Sequence, residues 1–502
     1  MHPTSLPGGH GCGDLGPGAH RFVDFLAAAG QRWWQMLPVG PAGPGNSPYS
    51  ALSAFAGSPV LVSLERLVDD GLLRAADIVP VRGLHEDRVS YAAVTRYKLC
   101  RLRRAFAAFS SAGGLKQRSY VRFCDSEAHW LDDHAHYAAL RRAHGGQPWT
   151  TWPMAIRKRS RPAPRRVSGQ PRSEIDLERF IQYVFDRQWT ALRRAAHQAG
   201  VGLIGDIPIF VAHDSSDVWA HPELFQLDAS GRAKVVSGVP PDLFSRDGQR
   251  WGHPHYQWAR HRSTGFAWWV ARFRRALAQF DAVRIDHFLG FHRVWAVPGR
   301  ARTARRGKWL KTPGGELFSV LRRRLGSMQV IAEDLGLVTP EAEALRDRFG
   351  FPGMRILQFA FGEGEESRHN QPHSYPHKCV VYPGTHDNDT IIGWIGKVRR
   401  AARRRKDGSL TELDRVLRYT GTSGRTIHWD LIRLALLSPA NLAVIPLQDV
   451  LGLDNSARMN TPATKTGNWQ WRVRRQRLVP RVARRLRELT DAYGRLPAQP
   501  TT

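Results

Sequence analysis

The chain has 502 residues, 42% of them hydrophobic, and a formal net charge of +30; this suits one barrel-sized domain with large insertions and core enough to fold it. The basic excess is mostly arginine spread along the whole length, without zinc-finger spacing, an RNP motif or a basic zipper, which argues against specific nucleic-acid binding and leaves non-specific attraction to polyanions. The four cysteines, at positions 12, 100, 124 and 379, lack metal-ligand spacing, and neither a secretory leader nor a run of ~18 apolar residues is present, so a reduced, soluble, cytoplasmic protein away from membranes is expected.

In chain order, residues 19–29 read as an amphipathic helix with Phe22, Phe25, Leu26 and Ala29 on one face and Gly30 placed to end it. The apolar run 33–39 follows as a strand. Residues 67–171, approximately, are helical, polar and irregular and carry no catalytic signature; they read as an insertion. The dense basic runs, IRKRSRPAPRR from Ile156 and RRAARRRK from Arg399, read as solvated loops. Ser173 is placed to cap a helix whose Leu177, Phe180, Ile181, Val184, Phe185 and Leu192 fall at helical spacing, with Gly200 ending it. The strand VGLIGDIPIF begins at Val201. Short apolar runs recur at 280–285, 329–332, 379–382 and 441–447, with room for helices between, and 474–496 reads as a basic terminal helix. Strands alternating with helices imply a parallel sheet, either barrel or doubly wound.

What separates the two is the carboxylate in which each run ends: Asp206, Asp286, Glu333, Asp387 and Asp449. In a barrel all strand C-termini meet at one rim, so five strands would deliver five acids to one pocket. An open sheet would spread them out, and the glycine-rich phosphate fingerprint of a dinucleotide-binding sheet is absent. Clustered acids without Cys or His ligand sets suggest glycosidic chemistry. Retention needs one ionised carboxyl to attack the anomeric carbon and one protonated carboxyl to protonate the leaving oxygen, about 5–5.5 Å apart, with pKa values pushed in opposite directions.

Asp286 lies in VRIDHF, two residues after Arg284. In a strand these share a face, so the guanidinium would hold the carboxylate ionised, as a nucleophile requires; a plain barrel salt bridge is the competing reading. Glu333, in IAEDLG, is the first acid after an apolar strand and can occupy a drier place that raises its pKa, whereas Asp334 alternates to the other face and serves the backbone or the next helix. Asp387, in GTHDNDT, projects with His386 from a turn that Gly384 permits, and could grip sugar hydroxyls; a purely local Asx turn is the alternative.

These motifs resemble those of the amylomaltases or disproportionating enzymes, the 4-α-glucanotransferases related to the α-amylases. The resemblance is carried by HPTSLP at His2, GDLG at Gly13, SPYSALSAFAGSP at Ser47, GDIPIF at Gly205, DVWAHPELF at Asp217, GVPPDLFS at Gly238, VRIDHF, IAEDLG, GTHDNDT and LGLDNSARMN at Leu451. It implies a single (β/α)₈ TIM barrel over residues 1–502, with a helical insertion at about 67–171, a lid-bearing insertion at about 230–262 and no C-terminal β-sandwich. The implied activity is transfer of α-1,4-glucan segments to an acceptor glucan or glucose by retaining double displacement, without metal or cofactor. Asp286 is implied as nucleophile, Glu333 as acid/base and Asp387 as transition-state stabiliser. Arg284, Asp206, His386, Tyr49, Trp251 and Asn460 are implied as contacts to malto-oligosaccharide, with Leu243 and Phe244 in the lid.

The chain departs from the family pattern in places. Leu243 stands where the lid usually has Tyr, His253 where Asn is usual, and Pro383 where Thr is usual. Met1 stands almost directly before HPTSLP, where the family has apolar residues that build the first strand; either the start lies elsewhere or that strand is truncated. The rival readings are an α-glucan hydrolase with the same carboxylates and a catalytically inactive glucan- or polyanion-binding protein. Oligomeric state and preferred chain length are not legible.

Overall fold

A computed structural model describes residues 1–159, 172–241, 245–405 and 407–497. The expected lid residues Leu243 and Phe244, and most of the basic stretch after Ile156, lie outside the described residues. Eleven strands are described: β1 Trp33–Gln35, β2 Gly202–Pro208, β3 Val235–Val239, β4 Gln249–Pro254, β5 Ala282–Asp286, β6 Arg293–Pro298, β7 Lys308–Lys311, β8 Val330–Ala332, β9 Gly353–Ile356, β10 Cys379–Tyr382 and β11 Leu442–Ala443.

Seven of these are parallel, in the orders β1-β2-β5-β8 and β9-β10-β11. The Ala332 amide, at the end of β8, donates to Pro352 O at 2.9 Å and joins the two runs. One apolar cluster draws Trp33 from β1, Ile204 from β2, Ala282 from β5, Ile331 from β8, Met354 and Ile356 from β9, Val380 and Tyr382 from β10 and Leu442 from β11. First and last strands can share a core with every strand between them only when the sheet is rolled on itself. Tyr382 spans that interior and donates its hydroxyl to Gln35 Oε1 at 2.9 Å. Between β1 and β11 the wall opens onto a cavity of about 650 Å³ lined by Trp33, Trp34, Leu442, Ala443 and Leu486. Beside it the Met1 ammonium donates to Gln35 O at 3.1 Å and the Trp34 indole to Met1 O at 2.6 Å.

Helices cover the outside. Those at Pro17–Ala28 and Arg172–Gln198 end before Gly30 (φ +69°) and Gly200 (φ +71°), whose left-handed backbone is costly for other residues. Ser173 does not cap: it lies inside the first turn, because the helix extends back to Arg172 and Glu174 there holds Arg103 and Arg142. All six residues read as the buried face of this helix are buried. The long helices Tyr91–Ser111 and Arg118–Ala143 pack on it through Phe109, Tyr120, Phe180 and Tyr183. The basic run from Arg399 is not a loop as far as Arg404. Ile391, Trp394, Ile395 and Val398 carry a buried helical stripe through Ile391–Arg404, and the arginines ride on its other side.

The remaining strands form an antiparallel sheet, order β4-β3-β6-β7. It claims Gly238 and Val239, the first two residues of the motif GVPPDLFS; a Cβ on Gly238 would meet Gln249 O at 2.3 Å, so only glycine lets β4 approach. The expected strand at 441–447 is two residues long, and Leu447–Val450 is a helical turn. The terminal helix is confined to Pro480–Ala492. All four cysteines are free. No helix among the described residues is long and apolar enough to cross a membrane.

Candidate functional site

The site is built on the period-two alternation of β2 and β5. Ile204 and Ala282 point into the barrel, so Asp206, Arg284 and Asp286, at even offsets from them, point the same way nearer the rim; Asp206 and Arg284 are direct register partners. Arg284 Nη1 donates to Asp206 Oδ1 and Oδ2 at 2.9 and 2.7 Å, and Nη2 to Asp286 Oδ1 at 3.0 Å. The Arg284 and Asp206 side chains are 6% and 1% exposed and Asp286 is 30% exposed. The buried pair is thus the base of the site and Asp286 its open edge. Burial works against the charge of Arg284, but Asp206, Asp286, Tyr49 and Glu333 outweigh it and its pKa rises. Burial raises the pKa of Asp206, opposed by Arg284.

Glu333 follows β8 directly. Burial, aided by the charge of Asp286 and opposed by Arg284, raises its pKa from 4.5 to about 7. Both its oxygens meet main-chain donors: His287 N at 2.6 Å on Oε2 and Leu335 N at 3.0 Å on Oε1. His287 can present that amide because its backbone is left-handed (φ 51°, ψ 52°), a conformation that costs a non-glycine residue on the order of 1–3 kcal/mol. Trp251 packs edge-on against its ring, centroids 4.9 Å apart. Asp334 turns the other way, accepting from Met354 N at 2.7 Å and pairing with Arg346, as the alternation implied.

The same rim, after β10, carries the GTHDNDT loop. Asp387 is 47% exposed, and Asn460 Nδ2 donates to its Oδ1 at 2.6 Å. His386 stacks on Tyr49 (5.1 Å, 19°), whose hydroxyl donates to Asp206 Oδ2 at 2.7 Å, so Tyr49 connects the loop to the strand-end acids. Gly384 is not there for an unusual turn, since its φ is not positive; a Cβ would meet Gln358 Nε2 at 2.7 Å, and that amide donates to Asp389 O at 2.8 Å.

Asp206, Arg284, Asp286, Glu333, Tyr49, His386, Asp387 and Asn460 are therefore linked as one constellation, and Trp251 reaches it through His287. Asp449 does not join the acids. It lies in the helical turn after β11, is 1% exposed, and accepts from Ile391 N at 2.7 Å at the start of the helix Ile391–Arg404; burial raises its pKa to about 7. Sequence reading missed His287, Asp389, Arg458, Trp469, whose ring tilts against those of Tyr49 and His386, and the role of Gln358, which no strand-end pattern marks. His253, noted only as a departure, receives or donates a hydrogen bond with Ser50 Oγ at 3.2 Å, and burial lowers its pKa to about 4, so the ring is neutral at pH 7. Among the described residues one trio, His10, Asp14 and Glu65, could gather around a metal ion. Lys98 already supplies the cation there, donating to Asp14 Oδ2 at 2.8 Å and to the carbonyls of Val60 and Val62.

The 4-alpha-glucanotransferase family model matches residues 1–477. The chain belongs to this family. The 4-alpha-glucanotransferase of Thermus thermophilus is 46% identical over 505 residues, covering 99% of this chain and 98% of that protein. That of a Synechocystis species is 44% identical over 500 residues, covering 99% and 97%. Among solved structures, the amylomaltase from Streptococcus agalactiae in complex with acarbose superposes with a TM-score of 0.92 at 34% identity, covering 99% of each chain. Membership makes the chain a glycosyl-transferring enzyme on the (β/α)₈ barrel of that family, and the inactive-binder reading is set aside.

Proposed function

We propose that the chain transfers segments of α-1,4-glucan between malto-oligosaccharides, with glucose as the smallest acceptor, by two displacements at one anomeric carbon. In the first, Asp286 attacks the anomeric carbon while Glu333 gives its proton to the departing glycosidic oxygen. In the second, Glu333 takes a proton from the acceptor hydroxyl, which displaces Asp286. Asp387 grips ring hydroxyls of the distorted sugar, and Arg284, Asp206, Tyr49, His386, Trp251 and Asn460 hold the chain around it. The observation that carries this assignment is the opposed environment of two neighbouring carboxyls: Asp286 at the open edge on a guanidinium, Glu333 buried with its pKa raised to about 7. Each Glu333 oxygen accepts one main-chain amide and keeps a second lone pair, on which the proton given to the substrate can sit.

Incubation with maltotriose tests the reaction: glucose together with maltopentaose and longer chains is expected, without added metal. Products confined to glucose and maltose would make the enzyme a hydrolase. A fluoro-substituted maltosyl donor tests the nucleophile, the trapped sugar being expected on the peptide that contains Asp286.

A further inference from the structure

We propose that Arg458, oriented by Asp389, is the positioning residue for Asp387. This rests on the assignment of Asp387 to the reacting sugar made above and explains how a half-exposed loop acid can hold one geometry.

One guanidinium ties three points together. Arg458 Nη2 donates to the main-chain oxygen of Asp387 itself. Its Nε donates to Asn460 O at 2.6 Å, and Asn460 returns its side-chain amide to Asp387 Oδ1 at 2.6 Å. Its Nη1 donates to Asp389 Oδ1 at 2.5 Å. Asp387 is therefore gripped at its main chain directly and at its carboxylate through Asn460, both from Arg458. Asp389 is the fixed end. Its side chain is 10% exposed, Asn455 Nδ2 donates to Oδ1 at 2.9 Å and Lys397 Nζ to Oδ2 at 2.7 Å. Its main-chain oxygen accepts from Gln358, which crosses Gly384.

A lysine in place of Arg458 would keep the charge, but it cannot reach three acceptors in a plane from one head group. Displacement of a catalytic group by about 1 Å costs up to ~10²-fold in rate, whereas the ground-state grip on a long glucan is spread over many contacts and changes little. Loss of Arg458 is thus a kcat effect.

The test uses the full chain acting on maltotriose. Arg458→Ala is expected to lower kcat by about 30–100-fold with KM within about threefold, and Arg458→Lys to lie between it and the parent. Added methylguanidinium is expected to restore a large part of kcat to Arg458→Ala and none to Arg458→Lys. In an Asp387→Asn background, Arg458→Ala should cost less than about threefold more, since the two act as one unit. Full multiplication of the two losses, or a kcat of Arg458→Ala within threefold of the parent, overturns the inference while leaving Asp387 in place. An Asp387→Asn variant of undiminished kcat would instead remove Asp387 from the site, and this inference with it. Should Arg458→Ala not fold, Asp389→Asn, which leaves the guanidinium but not its anchor, is expected to show the same kcat loss and the same non-additivity, and fails in the same way.

Discussion

The two halves of the site are held by different physics. Asp206, Arg284 and Asp286 are placed by strands: their directions follow from the pleat, and burial makes the loss of either partner alone costly without making the ion pair a large net source of stability. The loop bearing His386 and Asp387 has no such frame. Asp387 is half exposed, and its position depends on Asn460, Arg458, Asp389 and Gln358, contributed by three separate segments. Damage in the first half should therefore appear as lost chemistry or lost folding, and damage in the second as lost rate in a protein that still folds.

The largest effect expected is that of Glu333→Gln, which keeps the shape but has no proton to give. A loss on the order of 10³-fold is expected with maltotriose, and a glucosyl or maltosyl fluoride, whose leaving group needs no protonation, should still form the intermediate. Near-parental turnover of maltotriose would take Glu333 out of the acid role. Next is Arg284→Met. It leaves Asp206 buried with its countercharge gone, at a cost of about 3–5 kcal/mol by denaturant unfolding, whereas Arg458→Lys, which keeps a cation beside Asp389, should cost clearly less. Equal losses for the two would erase the contrast between the halves.

The pH dependence comes third. Glu333 must carry its proton to cleave, so kcat/KM should fall as pH rises through about 7. Its raised pKa also has a stability consequence. Between 4.5 and about 7 the folded state keeps a proton that the unfolded chain has released, so this contribution is full below that window and lost as pH rises through it. Asp449, also raised to about 7, adds a second loss of the same sign. Relative to the parent, Glu333→Gln should flatten the stability slope, whereas Asp449→Asn should flatten the slope alone and leave the activity limb where it is. Movement of that limb by Asp449→Asn would mean that the helical-turn acid belongs to the reaction. The smallest effect is that of Gly384→Ala, whose methyl must push Gln358 from Asp389 O. A drop in kcat of about 3–10-fold is expected, with the melting temperature nearly unchanged.

The acids at strand ends were legible because a strand has period two: Arg284 and Asp286 share a face whatever else the chain does, and Glu333 and Asp334 cannot. The same logic misplaced Asp449, since an apolar run followed by an acid also describes a two-residue strand and a helical turn. It also assigned the arginines after Arg399 to a loop, because their charge hid the buried stripe of Ile391, Trp394, Ile395 and Val398. The glycines were recognised as special for the wrong cause at Gly384, where a neighbouring amide and not a torsion angle demands the missing Cβ.

By itself, the sequence determined the alternation of strands and helices, the face of each strand-end acid and, through ten ordered motifs, the family. Local periodicity and covalent spacing suffice for the first two, because they compare residues a few positions apart; the family rests on the resemblance of the motifs to those of known enzymes. Only the tertiary structure decided that Asp206 and Asp286 share one guanidinium from a register of β2 against β5, and that Glu333 is dry enough to hold a proton near pH 7. It alone placed a strained His287 amide on Glu333 and brought Arg458 and Asp389, 69 residues apart, together behind Asp387. Each of these depends on which groups exclude water from one another across long stretches of chain, and desolvation is a property of the folded surroundings that no window of sequence contains.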